Sequence, residues 1–104
     1  MKSYKVKISD DALLDIQEAA SWYEERLPGL GERFKKAAKL QIKSLKSNAH
    51  GYSIRYSEVH CVVIKKFPFL IHFIIDEKDQ IIEIFAIFHT SRNPKIWNQR
   101  FNNI

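Results

Sequence analysis

The chain has 104 residues, 45% hydrophobic and 28% charged, enough for one domain (1–104) with one core and too few for a second. No apolar run approaches the roughly 18 residues that span a bilayer, and MKSYKVKISDD at the N-terminus has no apolar export region, so a cytoplasmic location without a membrane partner is expected. The formal net charge of +5 favours an acidic partner, nucleic acid or protein, and the single Cys61, alternating with Val59 and Val63, reads as a buried thiol in a reducing compartment.

Tyr4–Ile8 alternates Tyr4, Val6 and Ile8 with Lys5 and Lys7, which predicts a half-buried strand near a sheet edge. Ser9 or Asp10 can cap the helix that follows. Leu13, Ile16, Ala20, Tyr23 and Leu27 recur at helical spacing and predict its inner face, while Asp11, Asp15 and Glu18 form an acidic stripe elsewhere. Leu27-Pro28-Gly29 stops it. A second helix is predicted from about Gly31 to Ser47, with Leu30, Phe34, Ala38, Gln41, Ile42 and Leu45 inward. Lys35, Lys39, Lys43 and Lys46 are spaced 4, 4 and 3 and share another face, which is either a solvated surface or a dock for an acidic partner. The short link favours an antiparallel hairpin of helices.

After a loop over Asn48–Ser53, strand character runs from Ile54 through Val59 and Ile64 to Phe67, and a tight reversal is predicted at Lys66–Pro68. Two strongly apolar strands follow, joined by the charged turn Asp76–Gln80, and read as the central pair of a covered sheet. Pro94 then suits the first position of a short helix, with Ile96, Trp97 and Phe101 packing and Lys95, Asn98 and Arg100 exposed. The whole is an α+β layer: an N-terminal strand, a helical hairpin, a three-stranded antiparallel meander and a short C-terminal helix, the hairpin helices packed on one face of the sheet and the other face covered by the last helix at most.

His50, His60, His72 and His89 are 12, 12 and 17 residues apart, without an i,i+4 pair or a second cysteine, so no metal site is expected. Three glycines build no phosphate loop, and no cofactor is implied. Polar chemistry gathers where the last strand ends, at His89, Ser91, Arg92 and Asn93. With Arg55, Tyr56, Lys65, Lys66, Trp97 and Arg100 these form a candidate cluster. Metal-free RNA cleavage needs a base, an acid and cations for the phosphorane, and His89, Arg92 and Arg55 are of the right types. The plainer readings are His89 as a hydrogen-bonded strand end, Arg92 as a helix-entry residue and Trp97 as a core anchor.

F-P-F-L-I-H-F (67–73), the D-E-K-D turn (76–79), E-I-F-A-I-F-H-T-S-R-N-P (83–94) and W-x-x-R (97–100) resemble the ParE branch of the RelE/ParE toxin superfamily. L-P-G-L-G-E-R-F (27–34) fits the same family, so the resemblance covers essentially the whole chain. It implies the toxin of a bacterial type II toxin–antitoxin module, neutralised by a small antitoxin and meeting operator DNA only through it. Lys35, Lys39, Lys43 and Lys46 are then candidates for the antitoxin contact. RelE-like members cut mRNA on the ribosome. Here Phe69 and Trp97 stand where that branch tends to carry an arginine and a tyrosine, so the resemblance favours a ParE-like toxin that binds a target such as DNA gyrase. Target contacts are then expected at His89, Arg92, Lys95, Trp97 and Arg100. The alternatives are a ribosome-dependent mRNA endoribonuclease using His89, Arg92 and Arg55, or a degenerate antitoxin-binding corepressor.

Overall fold

A computed structural model describes residues 3–104, so Met1 and Lys2, the first residues of the stretch read for an export signal, lie outside it. The order is β1 (Lys5–Ile8), α1 (Asp10–Arg26), α2 (Leu30–Asn48), a 3-10 turn at Ala49–Gly51, β2 (Ile54–Tyr56), β3 (Val59–Val63), β4 (Phe69–Asp76), β5 (Ile81–His89) and α3 (Pro94–Asn102). The five strands form one sheet in the order β1-β5-β4-β3-β2. β1 runs parallel to β5 at one edge, and the other pairings are antiparallel. No helix of the described residues is long and apolar enough to cross a membrane.

The α+β class and the element order agree with the sequence reading, and β4 and β5 are interior strands. One expected strand is two. The run from Ile54 to Phe67 is broken at Ser57, whose φ of 47° reverses the chain, so the meander has four strands rather than three. Ser57-Glu58 lacks the glycine or asparagine that usually announces such a turn, which is why composition did not reveal it. The reversal before β4 falls where expected, with Lys66 at φ 72° and Ile64 N–H donating to the Phe69 carbonyl at 2.9 Å.

The hairpin covers one face of the sheet. Phe34, Ala38, Ile42 and Leu45 of α2 and Ala12, Ala19 and Ala20 of α1 pack on Ile71, Phe73, Ile82, Ile84 and Ile87. The inner stripe of α1 is rotated from the one predicted: Leu13 and Leu27 are 43% and 53% exposed, while Ala12 and Ala19 are buried. Three buried alanines allow the α1 backbone to approach β5 more closely than leucines would. At the link, the Glu24 carboxylate accepts from the N–H groups of Gly29 (2.8 Å) and Gly31 (2.9 Å), satisfying donors that the start of α2 leaves free. Gly29 has a φ of 91°, the left-handed region that glycine enters without cost from a side chain.

α3 lies on the opposite face, the one the sequence reading left to the last helix, so the three helices do not share one face. Ile96, Trp97 and Phe101 pack there against Leu70, Phe85, Ala86 and Phe88. Asn93 caps α3, its side chain accepting from the Lys95 N–H at 2.9 Å, and Pro94 fills the first turn.

Candidate functional site

The last turn of β5 is held against the start of β4. Phe69 pairs with His89, and the Thr90 N–H donates to the Pro68 carbonyl at 2.8 Å. Between these strand ends and α1 opens a groove of about 500 Å³. Ala19, Tyr23, Phe69 and Ile87 give it an apolar lining, with Trp22, Asp15 and Glu18 on the α1 side and His89, Ser91 and Arg92 on the strand side.

His89 is half-buried, and its ring meets Phe69 edge-on with centroids 5.2 Å apart. Its Nδ1 accepts from the Ser91 N–H at 3.0 Å and lies 2.8 Å from the Ser91 hydroxyl. An Nδ1 that accepts from a backbone N–H cannot itself carry the proton in neutral imidazole, so these bonds assign it to Nε2. His89 therefore offers its groove a donor rather than a base. Arg92 is exposed, with its guanidinium 5.3 Å from the Phe88 ring, and its N–H returns to the His89 carbonyl at 3.0 Å.

The other predicted residues are dispersed. Arg55, a catalytic partner of His89 only under the endoribonuclease alternative, lies on the α3 side of the sheet, 5.8 Å from the Trp97 ring, whereas His89 lines the α1 side. Lys65 borders a shallow groove with Arg55 and Val63. Lys66 sits exposed in the turn before β4, and Lys95 is exposed on α3. Trp97 packs inward on Tyr56 and His72, at 5.5 Å and 5.0 Å between centroids. Arg100, expected to be exposed, is folded inward. Its guanidinium bonds both oxygens of Asp15 (2.9 Å and 3.2 Å) and the Phe85 carbonyl (3.0 Å). Lys35, Lys39, Lys43 and Lys46 are all exposed along α2.

Sequence reasoning missed two arrangements. Asp15, read as part of an acidic stripe, also accepts from the Ile87 N–H at 2.9 Å. β1 pairs with β5 only as far as Ile84, so Asp15 and Arg100 together satisfy the β5 edge beyond it. The second is His72, fully buried under α3 with Nδ1 2.9 Å from the Tyr56 hydroxyl and 3.4 Å from the Cys61 sulfur. Burial, then the Arg55 and Arg100 charges, push its pKa down to about 4. Burial pushes the Cys61 thiol up to about 11 against the opposing pull of Arg55, and raises the Tyr56 phenol as well. These shifts keep all three groups uncharged at pH 7. Among the described residues, no three His, Cys, Asp or Glu side chains gather as metal ligands.

The five-stranded sheet with a helical hairpin on one face and a short helix on the other is the RelE/ParE toxin architecture. A chain of the chromosomal ParDE toxin–antitoxin system from P. aeruginosa superposes with a TM-score of 0.75 at 17% identity, covering 86% of this chain and 98% of its own length. The E. coli toxin RelE, as a double arginine-to-alanine mutant in the free state, gives 0.67 at 8% identity and 98% coverage of both chains. The RelBE2 toxin–antitoxin complex from Mycobacterium tuberculosis gives 0.59 at 13% identity, covering 84% of this chain and 98% of that one. At these identities the likeness is one of fold. No curated protein sequence matches the chain. The chain belongs to the ParE toxin family of the type II toxin-antitoxin system, parDE, which it matches over residues 6–94. It is a type II toxin. The match ends at Pro94, so Lys95, Trp97 and Arg100 lie beyond it.

Proposed function

We propose that this toxin inhibits growth by binding a protein target, DNA gyrase, through the groove at the end of β5, and not by chemistry of its own. The observation that carries the reading is the state of His89. Its Nδ1 is occupied by Ser91, its proton is assigned to Nε2, and Arg55, its partner under the endoribonuclease alternative, lies across the sheet. Metal-free phosphodiester cleavage needs a base and an acid in reach of one phosphate. An apolar groove with a tryptophan at its side and one arginine at its mouth suits a protein contact better.

The cognate antitoxin is read as a small protein with an acidic segment that folds onto the chain, a mode in which charge attraction offsets the entropy of ordering. The exposed Lys35, Lys39, Lys43 and Lys46 are its proposed contacts. The solved structures described as a ParDE toxin–antitoxin system and a RelBE2 toxin–antitoxin complex support an antitoxin as the partner.

The test pairs two assays on the purified toxin. Gyrase supercoiling should be inhibited, and a reporter mRNA in a translating extract should stay intact by primer extension. Ribosome-dependent cleavage at discrete codons would instead establish the endoribonuclease reading, with His89 and Arg92 as its first suspects.

A further inference from the structure

The two helices of the hairpin carry opposite charge. α1 holds six carboxylates and one arginine, and α2 holds six cations and one glutamate. Inside the hairpin this complementarity is not used. Among the described residues no ion pair joins α1 to α2, and the ion pair on α2 is internal, Lys35 to Glu32 at 3.5 Å. Helical spacing places Leu14, Glu18, Ser21 and Glu25 opposite the buried face of α1. It places Arg33, Lys36, Leu40 and Lys43 opposite the buried face of α2. Each outward ridge thus has one exposed leucine among charges of one sign, Leu14 at 51% and Leu40 at 69% exposure.

We propose that this outer face is a self-association surface on which a second copy of the chain docks, hairpin to hairpin. The charges select the symmetry. A two-fold axis parallel to the helices lays α1 of each copy on α2 of the other, whereas an axis across them stacks like on like. The first arrangement keeps height along the helices. Leu14 lies 14 residues before Pro28 and Leu40 lies 12 after it, so Leu14 of each copy comes level with Leu40 of the other. The helices of 17 and 19 residues are about 25–28 Å long at 1.5 Å per residue. Two of them side by side offer a face of the order that a specific dimer buries, about 800 Å² per partner. An acidic peptide would match α2 and be repelled by α1; a second copy matches both. Because the charges of α1 and α2 cancel, the chain's net positive charge resides outside the hairpin.

Sedimentation of the purified full chain, without antitoxin, tests this at about 50 mM and about 500 mM salt. The expected result is a dimer at low salt that dissociates as salt rises. Lys36→Glu with Lys43→Glu makes both ridges acidic, and Glu18→Lys with Glu25→Lys makes both basic. Each double variant alone should be monomeric, with a dimer constant weakened at least about tenfold, and an equimolar mixture should restore the dimer as a heterodimer. All four sites are exposed, so both variants should fold, which circular dichroism checks. A monomer at low salt, or a dimer indifferent to either charge reversal, overturns the proposal; so does a mixture that stays monomeric.

Discussion

Two buried polar groups decide most at the scale of the residue. Asp15 ties α1 to β5 through the Ile87 N–H and to α3 through Arg100, with only 13% of its side chain exposed. Asp15→Ala leaves a guanidinium and a backbone N–H without their acceptor and should cost about 3 kcal/mol in urea unfolding. Asp15→Asn keeps an acceptor and should cost less. His72 makes stability depend on acid. Its pKa lies near 6.5 when unfolded and about 4 when folded, so the folded state disfavours its protonated form. Its contribution is intact above about pH 6.5 and is lost as pH falls towards 4, by roughly 3 kcal/mol. His72→Gln, which does not titrate, should flatten that limb of the stability profile measured against wild type. Neither role was visible in the linear chain, because Asp15 and Arg100 are 85 residues apart and helical spacing marks Asp15 only as polar.

Elements differ in how firmly they are held. The hairpin depends on close approach at its link: a Cβ on Gly31 would stand 2.5 Å from the Ala20 carbonyl oxygen. That atom is backbone, so Gly31→Ala must push the helices apart and should lower the stability by about 1–3 kcal/mol, read from the midpoint of thermal or urea unfolding. The glycine in L-P-G-L-G was legible as a turn marker only for Gly29. The role of Gly31 needs the other helix. Strand boundaries show the same limit. Apolar alternation located β1, β4 and β5, since period-2 patterning follows from which faces are covered. The split of β2 from β3 rests on one serine with positive φ, a conformation that side-chain chemistry there does not announce.

For the whole molecule, the groove at the end of β5 is the place where helix, strand and loop meet. Trp22 is half-exposed there at 50%, with the Arg26 guanidinium 3.4 Å from its ring centroid. It was not singled out because only the folded hairpin brings it beside Pro68 and His89. Under the binding reading, Arg92→Ala, His89→Ala and Trp22→Ala should each fold normally and reduce growth inhibition by at least about tenfold. Full toxicity of all three folded variants would sink the groove as the target site. Arg100→Ala would be a misleading probe, since it releases Asp15 and lowers stability. The proposed self-association face includes Lys43, which is also among the lysines proposed to contact the antitoxin, so dimer and antitoxin complex should compete.

The sequence by itself determined the class, the order of the elements apart from the split of β2 from β3, the central strands and the family. These follow from local periodicity, turn residues and contiguous motifs, which need no knowledge of distant contacts. It also located the polar strand end from His89 to Asn93. Only the tertiary structure decided which of the suspected residues meet. It set Arg55 and His89 on opposite faces, turned Arg100 inward to Asp15, and sealed His72 beneath α3. Side-chain partnership depends on sheet order and helix placement, and these are settled by packing between segments far apart in the chain.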